Sequence, residues 1–282
     1  MRADQLAGRG AVVTGGGGGI GRSIALALAG AGMDVVLADV ELEAAERVRD
    51  EVRALGRRAI AVRTDVSQLA EVEALADASH DAFGDIAVLV NNAGVTWRPY
   101  RASWDASVDD FAWIMSVNFW GVLHGHRAFV PRMRDSPLPA HIVNTSSVAT
   151  LKPTPGHAAY TASKAAIDGF SLATRAEYEA AGFDIGVTVL YPGPVRTGFA
   201  GSERLRPASE RADARGVVPW QSYTDGEPLL AGAESAQAID PAAIGPMVVD
   251  AIVHDRPYVL THPLPDHVAE RARLLQELAA DR

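Results

Sequence analysis

The chain of 282 residues has 26 basic and 35 acidic side chains, a formal charge of −9, and is 48% hydrophobic. This is the composition of a soluble globular protein, and its acidic balance argues against nucleic acid or an anionic membrane as a partner. Cysteine is absent, which excludes disulfides, thiolate metal sites and a cysteine nucleophile and agrees with a reducing cytoplasm.

In chain order, short apolar, β-branched runs alternate with helix-like stretches. "AVVT" (11–14) passes through "TGGGGGIG" (14–21) into an Ala/Leu helix. "DVVLAD" (34–39) precedes a helix in which Val48, Val52 and Leu55 recur at helical spacing. "AIAVRTD" (59–65) and a helix near 67–83 lead to "IAVLVNNAG" (86–94). A long amphipathic helix, about 105–134, is followed by "HIVNTSS" (141–147), a helix near 160–181 closing at Gly182, and "IGVTVLYPG" (185–193). Near-continuous apolar strands alternating with helices predict an α/β, doubly wound, Rossmann-like fold. Its mainly parallel sheet should have about seven strands, with helices on both faces.

From about 197 to 239 the rhythm fails and Gly and Pro recur. An irregular stretch of that length inside a compact domain predicts a mobile substrate lid, inserted in a single domain spanning 1–262. A helix (241–254) and a strand "PYVL" (257–260) follow. The tail, 263–282, carries Val268, Ala272, Leu275 and Ala279 on one helical stripe. It is expected to pack on this or a neighbouring subunit. The N-terminus has no apolar signal core, and no segment reaches the roughly 18 apolar residues of a membrane helix.

The glycine run sits between the first strand and the first helix. There, Gly15, Gly19 and Gly21 would let the backbone turn tightly and approach a pyrophosphate at the helix N-terminus, with Ile20 beside it. Their spacing differs by one residue from the standard dinucleotide fingerprint. Asp39 ends the second strand, where a carboxylate accepts both adenine-ribose hydroxyls and repels a 2′-phosphate. Val40 and Glu41 after it, and Gly18 in the turn, bring no positive charge, so NAD is favoured over NADP. Asp39 also suits a helix N-cap. Asp65, followed by Val66, ends the third strand, where it either reaches the adenine amino group or closes a turn.

"HAAYTASKAA" (157–166) places Tyr160 and Lys164 four residues apart on one helix face. The chain has 24 arginines and two lysines, so a lysine here is against its habit. Tyrosine is a poor base at its reference pKa of about 10. A nearby ammonium and an oxidised nicotinamide would favour the phenolate, which could take the proton of an alcohol as hydride leaves its carbon.

These segments together resemble the short-chain dehydrogenases/reductases. "TGGGGGIG", "NNAG" (91–94), Asn118 in "SVNFWG", Ser147 in "NTSS", "YTASK" and "PGPVRT" (192–197) occur in that family's order, over residues 8–262. The resemblance implies that Tyr160 is the general acid/base and that Ser147 hydrogen-bonds the substrate oxygen. It implies that Lys164 holds the nicotinamide ribose and lowers the tyrosine pKa, and that Asn118 holds a water linking Lys164 to solvent. It places Asn91, Asn92, Ala93 and Gly94 along the cofactor, and Pro192, Gly193, Val195 and Thr197 about the nicotinamide carboxamide. Ser147, not Ser146, stands at the family's distance from the tyrosine, and strand alternation points Ser146 the other way. Asn118 also reads as a buried helix-bending group, and Ser147 as a turn residue. Gly18 departs from the family, which often has a hydroxyl or basic residue there.

Trp97, Tyr100, Trp104, Phe199, Trp220 and Tyr223 flank the expected pocket, and apolar walls suit a hydrophobic or aromatic alcohol or ketone. Any one of them could instead anchor a loop. Trp113 and Trp120 read as core or subunit contacts. Family members pair through helices corresponding to 105–134 and 160–181, so a homodimer or homotetramer is expected. The expectation is an NAD-dependent, cytoplasmic dehydrogenase of a hydrophobic secondary alcohol, without a metal. Its rivals are an NADPH-dependent carbonyl reductase, disfavoured by Asp39, and a silent nucleotide-sensing protein, disfavoured by the complete Asn118–Ser147–Tyr160–Lys164 set.

Overall fold

The computed structural model describes residues 1–97, 100–151, 154–207 and 237–263, with residues 268, 272, 273, 276 and 277 of the tail. Seven strands form one sheet: β1 (Gly10–Thr14), β2 (Asp34–Asp39), β3 (Ala59–Arg63), β4 (Ile86–Asn91), β5 (Ala140–Thr145), β6 (Ile185–Tyr191) and β7 (Tyr258–Leu260). Their order is β3-β2-β1-β4-β5-β6-β7, and every pair is parallel. All residues of β1, β4 and β5 are buried, which explains why β1 and β4 run apolar with hardly any alternation.

Helices α1 (Gly19–Gly30), α2 (Leu42–Ala54), α3 (Leu69–Phe83), α4 (Val108–Met115), α5 (Gly121–Asp135), α6 (Ala158–Ala181) and α7 (Ile244–Val253) cover the sheet. On one face Ile24 and Leu28 of α1 meet Val248 and Ile252 of α7 over Val13 and Val35. On the other, Leu75, Phe129, Met133 and Tyr178 close over Leu89 and Ile142. The chain reverses its direction of winding between β1 and β4, and a doubly wound sheet binds ligands beyond the carboxyl ends of the strands at that point.

The helix expected over 105–134 is interrupted. Ser107 caps α4, its hydroxyl accepting the Asp110 amide at 3.1 Å while the Asp110 carboxylate accepts the Ser107 amide at 3.0 Å. The chain then makes one wide π turn, Ser116–Trp120, before α5 begins. Such a turn inserts a residue without ending the helix and often marks a functional position; here Asn118 lies at its middle.

Only 197–207 and 237–239 of the expected lid are described, and Gly198–Leu205 forms a 3-10 helix. The remainder of the lid, with Trp220 and Tyr223, lies outside the described residues, as do Leu275 and Ala279 of the tail stripe. Among the described residues no helix is long and apolar enough to cross a membrane.

Candidate active site

Between β1 and α1 the backbone passes through Gly15 at φ +62°, a conformation that a β-carbon disfavours. A side chain at Gly21 would run into the Gly15 carbonyl. The turn is braced from two sides. Asp39 at the end of β2 accepts the Gly17 amide at 2.9 Å and the Glu41 amide at 3.0 Å. Asn92 donates from Nδ2 to the carbonyls of Thr14 and Gly15, at 3.1 and 3.2 Å. The N-cap of α2 is Glu41, so Asp39 holds the glycine turn and does not cap the helix. Burial pushes its carboxyl up from the ordinary value, while the two amide bonds pull it back.

The turn opens on a cleft of about 1230 Å³ along the carboxyl ends of the strands, larger than the ~300–1,000 Å³ of an ordinary small-molecule site. Gly15, Gly19, Ile20, Asp39, Val40, Asp65 and Val66 line it, as do Asn92, Ala93 and Gly94. Pro192, Gly193, Val195 and Thr197 line it as well. Asp65 Oδ1 accepts both the amide and the hydroxyl of Ser67, at 3.0 and 2.7 Å, so its carboxylate closes a turn. The Asn91 side chain faces the interior, where Nδ2 donates to Asn144 Oδ1 at 2.9 Å. A dinucleotide fits this donor set: a side-chain-free turn at the N-terminus of a long helix for a pyrophosphate, and one carboxylate at the end of β2 for a ribose.

Ser147, Tyr160 and Lys164 line the same cleft. Both serines lie beyond the last residue of β5 and both line the cleft, so strand alternation does not separate them; their bonds do: Ser146 Oγ donates to the Lys164 carbonyl at 3.2 Å, while Ser147 Oγ accepts the Ala149 amide at 3.1 Å. Lys164 is buried; its Nζ donates to the Thr145 carbonyl at 2.8 Å and lies 5.6 Å from the Tyr160 ring centroid. Burial brings its pKa down to about 7, against the pull of the Asp168 carboxylate four residues on. Phe199 meets the Tyr160 ring edge-on at 5.8 Å.

Asn118 is fully buried. Its Oδ1 accepts the Val95 amide at 2.8 Å, and its Nδ2 donates to the Val95 carbonyl at 3.1 Å and to Ser163 Oγ at 2.9 Å. The side chain therefore ties the wide turn to the strand-end loop and to the helix bearing Tyr160 and Lys164.

The aromatic residues divide between the cleft, the packing behind it and the surface. Tyr100 and Phe199 line the cleft. Trp97 is wholly buried, its indole N–H donating to the Gly156 carbonyl at 3.0 Å, so it anchors a loop. Trp104 is 70% exposed and stands away from the cleft. Trp113, expected in the core or a subunit contact, is buried and also forms part of the cleft wall. Trp120 is 47% exposed.

Sequence reasoning also missed residues around the site. His157 and His262 line the cleft. Behind Trp113, Asp110 accepts Arg206 Nη1 at 2.5 Å and Arg101 Nη1 at 3.1 Å, all three buried. Of these, His157 alone stands close in sequence to a predicted site residue, three positions before Tyr160 at the N-cap of α6. Among the described residues no group of three or more His, Cys, Asp or Glu is placed to hold a metal ion.

A family model described as short chain dehydrogenase matches residues 9–207. A 1-deoxy-11-beta-hydroxypentalenate dehydrogenase of Streptomyces avermitilis is 34% identical over 252 residues, 89% of this chain and 84% of that protein. A CLA biosynthesis dehydrogenase/reductase of Lactiplantibacillus plantarum is 31% identical, over 89% of this chain and 87% of that protein. A short chain dehydrogenase/reductase of Burkholderia phymatum, solved in complex with NAD, superposes with a TM-score of 0.84 at 37% identity, covering 99% of this chain and 96% of that one.

Proposed function

The chain belongs to the short-chain dehydrogenase family, and from that premise we propose that it is an NAD-dependent dehydrogenase of a hydrophobic secondary alcohol, with Tyr160 as general acid/base. The observation that carries this reading is the grouping of Ser147, Tyr160 and Lys164 on one cleft that begins at the glycine turn. Ser147 Oγ would donate to the substrate oxygen. Tyr160 Oη would take the hydroxyl proton, and would return it in the reverse direction. Lowering a phenol pKa by ~3 units requires about 4 kcal/mol of differential interaction. The Lys164 ammonium beside the ring supplies part of it in a site where burial strengthens the field. Nicotinamide, when bound, supplies the hydride acceptor.

Asn118 holds the frame of the site, and the residues from Gly15 to Thr197 named above would hold the cofactor. The preference for NAD rests on Asp39, which occupies the ribose end of the cleft as a carboxylate. Val95, Trp113, Phe199 and Leu205 give the cleft apolar walls, which favours a bulky hydrophobic substrate. A relative named as a 1-deoxy-11-beta-hydroxypentalenate dehydrogenase agrees with a hydroxyl as the reacting group. The exposed Trp120 and Leu172, on the helical stretches expected to pair subunits, support a homo-oligomer.

The test is a panel of hydrophobic secondary alcohols (borneol, cyclododecanol, benzhydrol) with NAD⁺, followed by NADH absorbance. Turnover by the native protein and its loss in Tyr160→Phe are expected. Equal turnover by the two proteins would overturn the assignment.

A further inference from the structure

His157 is the N-cap residue of α6, three residues before Tyr160. The residue is 6% exposed, and its imidazole lies flat on the phenol ring, with centroids 4.4 Å apart and planes 13° from parallel. Tyr100 meets the imidazole edge-on at 5.0 Å. Nε2 shares a 2.6 Å hydrogen bond with Thr96 Oγ1. Thr96 is itself clamped: Ser202 Oγ accepts its amide at 2.8 Å and donates to its carbonyl at 3.1 Å.

These contacts form a continuous path. The helical segment Gly198–Leu205 reaches Thr96 through Ser202, Thr96 fixes the imidazole, and the imidazole covers one face of the phenol ring. Both rings line the cleft.

We propose that His157 is a positioning residue for Tyr160: its imidazole, fixed by Thr96 and Tyr100, sets the orientation of the phenol and links it to the seating of the 198–205 segment. This rests on the dehydrogenase reading above. A phenol that must meet a hydroxyl at hydrogen-bond distance tolerates little swing, and a 1 Å misplacement can cost on the order of 10²-fold in rate. Flat contact between the rings restrains that swing without placing a charged or reacting group on the substrate. Nε2 is engaged with Thr96, so no proton transfer by His157 to substrate is invoked.

The experiment uses native protein, His157→Ala, His157→Phe, Thr96→Val and the double variant His157→Phe/Thr96→Val. Each is assayed with the panel alcohol that gives the fastest NADH formation, and NAD⁺ affinity and thermal unfolding are measured in parallel. His157→Ala should lower kcat at least ~10-fold while KM and NAD⁺ affinity stay within about 2-fold. His157→Phe keeps a flat ring and should recover most of kcat. Thr96→Val should slow the native background a few-fold and leave the His157→Phe background unchanged, because the hydrogen bond it removes is already gone.

Unaltered kcat in His157→Ala would overturn the proposal, as would equal effects of Thr96→Val in both backgrounds. Should His157→Ala fail to fold, the Thr96→Val comparison decides alone. If native protein is active and Tyr160→Phe is not, failure here leaves the dehydrogenase reading intact. Native protein without turnover on the whole panel would overturn both.

Discussion

Asp39 Oδ2 accepts the amide of Gly17 at 2.9 Å, joining the end of β2 to the turn that begins α1. The same carboxylate thus shapes the glycine turn and lines the cleft, where it would meet the adenine ribose of a bound dinucleotide. A 2′-phosphate there would meet a like charge and would displace hydrogen bonds to the ribose. NAD⁺ should bind at least ~10-fold more tightly than NADP⁺, about 1.4 kcal/mol. Asp39→Ser should narrow the gap, and because the Gly17 bond is weakened it should also loosen NAD⁺ binding. Titration giving equal affinities for the two cofactors in the native protein would remove Asp39 from this role.

Behind the cleft wall, Asp110 holds two buried guanidinium groups. Arg206 lies over the Trp113 ring at 5.4 Å, and Arg101 also pairs with Glu203 at 2.5 Å. Burial would push the Asp110 carboxyl up, but Arg206, the Ser107 amide and Arg101 together hold it below its ordinary value. Removing one member of a buried charge group costs about 3–5 kcal/mol, because buried charge is left less well compensated. Asp110→Ala is expected to lower stability by that order, read as a shift in the urea midpoint. A change under ~1 kcal/mol would mean that water or another carboxylate replaces it.

Two buried histidines set an acid limit on stability. Burial brings His126 down from 6.5 to about 4 and His141 down from 6.5 to about 3. The folded chain keeps both neutral where the unfolded chain would bind protons, so the unfolded state carries more protons below pH ~6.5. Stability is therefore present above that pH and is lost as pH falls toward the folded values. His126 alone accounts for about 3 kcal/mol of that loss, at about 1.4 kcal/mol per unit. Urea midpoints between pH 7 and 4.5 should fall, and His126→Asn should flatten part of the fall. A midpoint independent of pH over this range would contradict the buried, neutral imidazoles.

The sheet was legible because buried parallel strands write themselves as apolar runs, and Tyr160 with Lys164 because their chemistry is compressed into one helical turn. Asp39 was found by its distance from the glycines. Contacts made across the fold left no such mark. Thr96 and His157 are 61 residues apart in sequence, and Asp110 and Arg206 are 96 apart; nothing local ties either pair together. Whether Trp97 lines the cleft or anchors a loop stayed open in the sequence because an irregular loop has no period from which to read a side chain's direction; Trp113 is buried as expected, and only its place on the cleft wall was not legible. The π turn at Asn118 was hidden because one extra residue leaves the apolar pattern of a long helix almost unchanged.

Lys164 provides the sharpest separation between a charge and a fitted group. Its ammonium donates to the Thr145 carbonyl at 2.8 Å in a buried position where burial has lowered its pKa to about 7 and Asp168 raises it. Near neutral pH the side chain can therefore hold or release a proton, which a guanidinium cannot do. Lys164→Arg keeps a positive charge, and arginine is this chain's usual cation. The planar fork is bulkier than an ammonium and cannot take the same place between Thr145 and the Tyr160 ring. Folding should survive, while kcat falls at least ~10-fold, about 1.4 kcal/mol of barrier. The acid limb of the pH–rate profile should move to higher pH only in part, since a fixed cation still favours the phenolate. Lys164→Met, which removes the charge as well, should move it further. The measurement is kcat against pH for the three proteins with one active alcohol. Superimposable native and Lys164→Arg curves would show that any cation suffices at this position, and the fitted role would fall.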